Sequence, residues 1–312
     1  MSGSGGGWYK APRTRETARL VAAEAARSSA ATGYATQVNA WLSDELKGCN
    51  DRDVDAVTKH LATLEGAISK DVEAGELDLL FGGSVRKHTF VDGLSDIDVL
   101  AVVSDSSLAG LSPSELLDAF AARIRTRLPF TEVKAGVLAV SVKFSDGIEI
   151  QLLPAQRTAT GIRIKAPSED AWSNVVRPDN FARKLTEVNQ ACGRNVVPVV
   201  KLYKSLQGAF PKMNQLSGYH VESLAIEAFR SYDGSRALKN MFLHLCTQVA
   251  ERVLAPIRET TGQSLHVDDK LGVANSADRV RISNAVARVM QRLRAADAAG
   301  DVGAWSCEFD GE

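Results

Sequence analysis

Apolar positions recur along this chain at two different periods, and the change between them divides it. From residue 14 to 68 the spacing is helical. Thr14 to Ala31 is Ala-rich with charges three and four apart, a second helix is expected from Ala35 to Leu46, and a third carries Val54, Val57, Leu61, Leu64 and Ile68 along one stripe. From Asp78 the pattern shortens. Leu79-Leu80-Phe81 is a brief apolar strand, interrupted by Gly82-Gly83-Ser84, and Ile97 to Val103 has the near-continuous apolar character of a strand covered on both faces. Ser112-Pro113-Ser114-Glu115 is a capping box with proline in the first turn, predicting a helix to about Leu128. Val137 to Phe144 and Ile148 to Leu153 read as a hairpin around Ser145-Asp146-Gly147. After Pro154 only Gly161 to Lys165 has strand character. From Pro178 the helical period returns, over 178–191, 195–208, 217–230, 235–260 and 276–297. Asn275-Ser276 opens the last of these, and Gly300 and Gly303 stop it.

This order implies an α/β (α+β) fold, a catalytic half followed by a helical half, with a ligand cleft between them. The expected divisions are a Gly/Ser-rich tail at 1–13, N-terminal helices with the α/β core at 14–165, a helical domain at 166–300 and a tail at 301–312. The early helices need a partner surface, either the sheet or the helical half. A length of 312 residues with 45% apolar and 24% charged residues suffices for a real core.

A formal net charge of −1 removes any global positive field, so neither long nucleic acid nor a membrane is expected as a partner. No apolar run reaches membrane-spanning length and no charged start precedes an apolar stretch, so a cytoplasmic location is expected. Cys49, Cys192, Cys246 and Cys307 never form C-x-x-C and read as idle thiols. The five histidines lack zinc-ligand spacing.

The chemistry is concentrated between Gly82 and Asp98. Side chains alternate along a strand, so Asp96 and Asp98 share a face while Ile97 and Val99 share the other. Two carboxylates about 7 Å apart along a strand repel each other unless a cation lies between them, and Mg²⁺ is a hard ion suited to such a pair plus phosphate oxygens. Upstream, Gly83 allows close backbone approach to a triphosphate, and the Ser84 hydroxyl can donate to its oxygens. Alone, either motif is commonplace. Together, twelve residues apart from Ser84 to Asp96, they form a specific signal.

This pattern resembles the polymerase-β-like nucleotidyltransferase superfamily, whose signature is G-S followed by D-x-D. Within it, the chain is similar to the cGAS/DncV-like nucleotidyltransferases (CD-NTases) of bacterial anti-phage signalling, relatives of the oligoadenylate synthetases. Gly82 to Val103, Val199 to Ser205 and Leu216 to Ala225 carry the resemblance, with a weaker stretch from Asp268 to Ser276. The resemblance implies a synthase that makes a cyclic di- or trinucleotide from ATP or other NTPs. It implies two Mg²⁺ ions, or Mn²⁺ in their place, and leaves room for a regulatory protein partner. A linear oligonucleotide or RNA-end transferase, or a catalytically degenerate nucleotide sensor, are the alternatives.

The family's third carboxylate precedes a Leu-Pro-Ala-like sequence, here Ile148-Glu149-Ile150-Gln151-Leu152-Leu153-Pro154-Ala155. The aligned position is Gln151, which is neutral and cannot replace a carboxylate in kind. Either Glu149 on the same face completes the metal and catalytic set with Asp96 and Asp98, or two carboxylates operate alone, or catalysis is lost. The first is favoured, with Gln151 left to contact nucleotide. By the same resemblance, Lys201 neutralises phosphates, Ser217 lies near them and Tyr219 stacks on a base. Gly218 stands where the family has a second serine. Glu222 and His220 are assigned to local helix packing.

Overall fold

The computed structural model describes residues 15–49, 54–69, 77–81, 89, 97–104, 108, 110–166, 169–173, 175–257 and 268–310. It is a mixed α+β fold built on a six-stranded sheet. The strands are β1 (Leu77–Phe81), β2 (Ile97–Val103), β3 (Glu132–Ala135), β4 (Val140–Lys143), β5 (Glu149–Thr158) and β6 (Gly161–Ile164). They run β1-β2-β5-β4-β3, with β6 added to the far end of β5. Only the β2–β5 pair is parallel; the other four pairs are antiparallel.

Alternation decides what each face does. Ile97, Val99, Ala101 and Val103 join Ile150, Leu152, Val140 and Val142 in one core, covered by α2 (Val54–Ser69) and α3 (Pro113–Arg127) through Leu64, Ile68, Leu117, Phe120 and Ile124. The opposite face holds the smaller cluster Leu100, Val102, Ala155 and Ile162 at one end, with Asp98 and Gln151 at the other. The capping box of α3 forms as expected: Ser112 accepts from the Glu115 amide, and Glu115 accepts from the Ser112 amide at 2.8 Å. β5 runs through Pro154, beyond the expected end at Leu153. Pro154 falls between the last β4 pair, Val140↔Leu152, and the first β6 pair, Ala155↔Ile164, so its missing N–H breaks no ladder on that edge. The edge strand β3 is an addition to the expected set; its four residues, Glu-Val-Lys-Ala, are too few to stand out as a pattern, and only Val133 packs partly against the core.

The helical half comprises α4 (Pro178–Ala191), α5 (Val196–Gly208), α6 (Gly218–Phe229), α7 (Leu238–Arg252), α8 (Ala277–Ala299) and α9 (Gly303–Asp310). Its core is a second, larger cluster, and α1 (Arg15–Gly48) packs into it through Tyr34, Val38 and Leu42. So α1 finds its partner in the helices and α2 in the sheet. The two helices expected before residue 46 are one. Gly33 costs about 1 kcal/mol relative to alanine, too little to end a helix without proline or a cap. The 301–312 stretch is not simply a tail, because α9 occupies most of it. Trp305 is fully buried there, and its indole donates to the Tyr34 hydroxyl at 2.9 Å, which donates in turn to Asp297 at 3.0 Å. Burial pushes the Tyr34 phenol up to about 12. Gly300 ends α8 in the left-handed conformation at φ 70°, which suits glycine. Gly303, expected as a stop, instead opens α9.

All four cysteines are free thiols, three of them buried. Among the described residues no helix is long and apolar enough to cross a membrane.

Trp305→Ala should cost about 3–5 kcal/mol of unfolding free energy in urea titration, the range for deleting a large buried aromatic. A dispensable terminus would leave the midpoint unchanged.

Candidate active site

The site begins at the N-terminal end of β2. Register sets Asp98 directly beside Gln151 on β5, and Gln151 beside Ser141 on β4, so the three side chains form one row on the face opposite the main core. Neighbouring strands lie about 4.8 Å apart, within reach of a shared ligand. Glu149 lies on the same face, one pair further along, and is opposite Lys143. Asp98, Glu149 and Gln151 are all half-buried, neither sealed from solvent nor fully open to it. β1 ends at Phe81, level with Val99, so the chain leaves β1 beside Asp98 as it enters the Gly82-Gly83-Ser84 sequence. Gly83, Ser84 and Asp96 themselves lie outside the described residues.

The donor set of Asp98, Glu149 and Gln151 is oxygen-only, which fits a hard divalent ion. Its charge is lower than three carboxylates would give, because the row partner of Asp98 is an amide. Among the described residues no three His, Cys, Asp or Glu side chains converge.

The helical half contributes the remaining predicted residues from two helices. Lys201 sits half-buried on α5, and burial pulls its ammonium below the ordinary lysine range; nearby Lys204 adds to this and Cys49 opposes it. Ser217 caps α6 by accepting from the His220 amide at 3.2 Å and stays exposed. Tyr219, half-buried two residues on, packs its ring against Phe181 of α4 with centroids 4.6 Å apart.

Sequence reasoning missed the link between the halves. Lys204 is buried on α5, with its ammonium 2.8 Å from Glu222 of α6 and 3.0 Å from the backbone carbonyl of Thr89. The Thr89 hydroxyl also donates to Glu222. Glu222 is therefore engaged in more than local helix packing. A Cβ on Gly218 would lie 3.2 Å from the Lys204 ammonium, so the position aligned with the family's second serine is where this lysine lies against the backbone. The available signal was a lysine one turn after Lys201 on an otherwise apolar helix.

With this geometry established, comparison with known proteins gives a consistent answer. CdnG from Bradyrhizobium diazoefficiens, a CD-NTase solved with GTP, superposes with a TM-score of 0.63 at 14% identity, over 82% of this chain and 89% of that one. CdnC from E. coli MS115-1, solved in complex with HORMA-deltaN, gives 0.60 at 17% identity over 83% and 91%. Vibrio cholerae DncV, a cyclic AMP-GMP synthase with nonhydrolyzable GTP, gives 0.60 at 12% identity over 95% and 90%. The fold is that of the CD-NTases. No family model matches the chain, and no curated protein matches it. The likeness is thus one of fold, at 12–17% identity to these three structures.

Behind the start of α6, His220 is completely buried, and among the described residues neither ring nitrogen finds a hydrogen-bond partner. Its Nε2 is 3.5 Å from Asp268, which pairs with the buried Arg279 guanidinium and accepts from the Ile257 amide at 3.1 Å. Arg279 also donates to the carbonyls of Val253, Ala255 and Gly272, gathering the segment before α8. Burial pushes the His220 imidazole down to about 4, Asp268 opposing and Arg279 reinforcing the shift.

An unfolded histidine titrates near 6.5, so between that value and about 4 the unfolded chain binds the proton more readily. The contribution of His220 to stability is complete above pH 6.5 and is lost as pH falls through this window. It should amount to roughly 2–3 kcal/mol, read as a falling urea midpoint from pH 7 to pH 4. His220→Asn should flatten that limb, and an equally steep fall in the variant would assign it to other groups.

Proposed function

We propose that this chain is a nucleotidyltransferase that joins NTPs into a cyclic di- or trinucleotide. The observation that carries the reading is the row on the sheet. Asp98 sits beside Gln151 on the central parallel pair, at the end where the chain leaves β1 into Gly82-Gly83-Ser84, in the CD-NTase fold. Asp96, Asp98 and Glu149 would hold two Mg²⁺ ions, or Mn²⁺. The chemistry such ions supply when bound is activation of an attacking hydroxyl and neutralisation of the leaving pyrophosphate. The chain's own part is positioning. Gly83 and Ser84 contact phosphate oxygens, the Lys201 ammonium and the Ser217 hydroxyl meet them from the helical side, Gln151 donates to the nucleotide and Tyr219 stacks on a base. Lys201 is already partly desolvated, so an arriving triphosphate returns to it the stabilisation that burial removed.

ATP, GTP or other NTPs are the proposed substrates, GTP being bound in the solved CdnG and a nonhydrolyzable GTP in DncV. A role in bacterial anti-phage signalling, in the cytoplasm, accompanies this reading. A regulatory protein partner is consistent with it, since CdnC was solved with HORMA-deltaN. One observation favours a second reading. Gln151, not a carboxylate, is the register partner of Asp98, as expected of a sensor that binds nucleotide without turning it over. Labelled NTPs with Mg²⁺ or Mn²⁺ separate the readings. A phosphatase-resistant small product marks a cyclase, extension of added RNA a linear transferase, and binding without pyrophosphate release a sensor.

Within the cyclase reading, Asp98→Asn should abolish pyrophosphate release while leaving the thermal midpoint nearly unchanged, because a half-exposed carboxylate leaves no cavity. Wild-type turnover in that variant would remove Asp98 from the site. Glu149→Gln should cut turnover on the order of 10²-fold or more, and Gln151→Asp should change it little. A gain of about tenfold in Gln151→Asp, roughly 1.4 kcal/mol of barrier, would transfer the third role to position 151. For Lys201→Ala the expected loss is about 1.5–3 kcal/mol of NTP affinity by calorimetry, and unchanged binding would make it an ordinary helix lysine.

A further inference from the structure

We infer that Glu222 is a positioning residue: its one buried carboxylate ties the chain between β1 and β2 to the helical half. The inference rests on the nucleotidyltransferase reading, in which that chain carries Ser84 and Asp96.

Glu222 of α6 is fully buried, Lys204 of α5 and Thr89 almost or wholly so. The carboxylate accepts from the Lys204 ammonium at 2.8 Å and from the Thr89 hydroxyl. Lys204 donates in turn to the Thr89 carbonyl at 3.0 Å and to its hydroxyl at 3.3 Å. Both polar atoms beyond the Thr89 amide are thus held by the same ion pair, which fixes its backbone as well as its side chain. A buried Lys–Glu pair is a poor source of net stability, since desolvating two charges offsets most of their attraction. An apolar pair would pack two helices as well. What an apolar pair cannot do is hold a threonine from a distant part of the chain by hydrogen bonds made only in one geometry. Thr89 lies in sequence between Ser84 and Asp96, so in the nucleotidyltransferase reading the tie acts on the stretch of chain that carries both. Gly218 serves the same arrangement, because a side chain there would press on the Lys204 ammonium.

The test uses the full chain with Thr89→Val, which keeps the shape and removes the hydroxyl, and Thr89→Ser, which restores it. Hydrogen–deuterium exchange is followed in peptides spanning Thr89, together with kcat and KM for NTP. Thr89→Val should leave the thermal midpoint within a few degrees, speed exchange around Thr89 about tenfold and lower kcat about tenfold with a smaller effect on KM. Thr89→Ser should return all three towards wild type. Glu222→Gln should speed exchange in the same peptides. Should it fail to fold, with Lys204 left buried beside a neutral amide, the threonine pair still decides. Unchanged exchange in Thr89→Val overturns the tie, and faster exchange with unchanged kcat overturns its role in positioning. If the wild-type protein forms no product, the function reading fails, while the exchange comparison still decides whether the tie exists.

Discussion

The parallel pairing of β2 with β5 is the constraint on which the rest of this molecule depends. A parallel pair in register assigns every side chain on two strands to a face at once. Ile97 and Ile150, then Val99 and Leu152, fall into the core under α2 and α3, and Asp98 and Gln151 fall together on the other side. A slip of one residue would drive Asp98 into that core and expose its neighbours Ile97 and Val99. The hydrophobic face therefore holds the polar row in place. The apolar cluster of Leu100, Val102, Ala155 and Ile162 keeps the far end of the same face closed, so the polar character is confined to the end where β1 releases the chain.

The helical half is organised by a different economy. Its large core buries Trp305, Tyr203, Phe229 and Phe242, and among them it also buries charge. Arg279 with Asp268 gathers the backbone before α8, and Lys204 with Glu222 reaches out to Thr89. Neither pair stabilises much by attraction alone, because each ion left water to form it. Each instead connects stretches that the helices by themselves would leave unrelated, and does so with directional hydrogen bonds. His220, buried without a hydrogen-bond partner among the described residues, lies beside the first of these pairs, on the same helix as Glu222 of the second.

Much of this was legible in the sequence. The near-continuous apolar run from Ile97 to Val103 and the capping box at Ser112 are local signals, and the structure contains both elements at those positions. Glu149 and Gln151 were assigned to one face of their strand from alternation, and the register sets Asp98 beside Gln151 on that face. Where an element depends on a distant partner, local pattern failed. α9 forms where Trp305 reaches Tyr34, far away in the chain, and β5 continues past Pro154 because β4 stops where β6 begins.

The sequence by itself determined which residue types are present and which neighbours along a strand or helix share a side, since these follow from fixed backbone periods. That was enough to put Asp98 on one strand face with its neighbour Asp96, and Glu149 with Gln151, while Lys201 and Tyr219 were candidates only through the family resemblance. Which candidates stand beside which was decided only by tertiary structure. Nothing local to Lys204 says that its ammonium lies against Gly218 and Thr89, or that Glu222, 133 residues from that threonine, accepts from the threonine and from Lys204. Such contacts depend on how two helices and a sheet dock, and docking is set by the summed burial of many side chains rather than by any one of them.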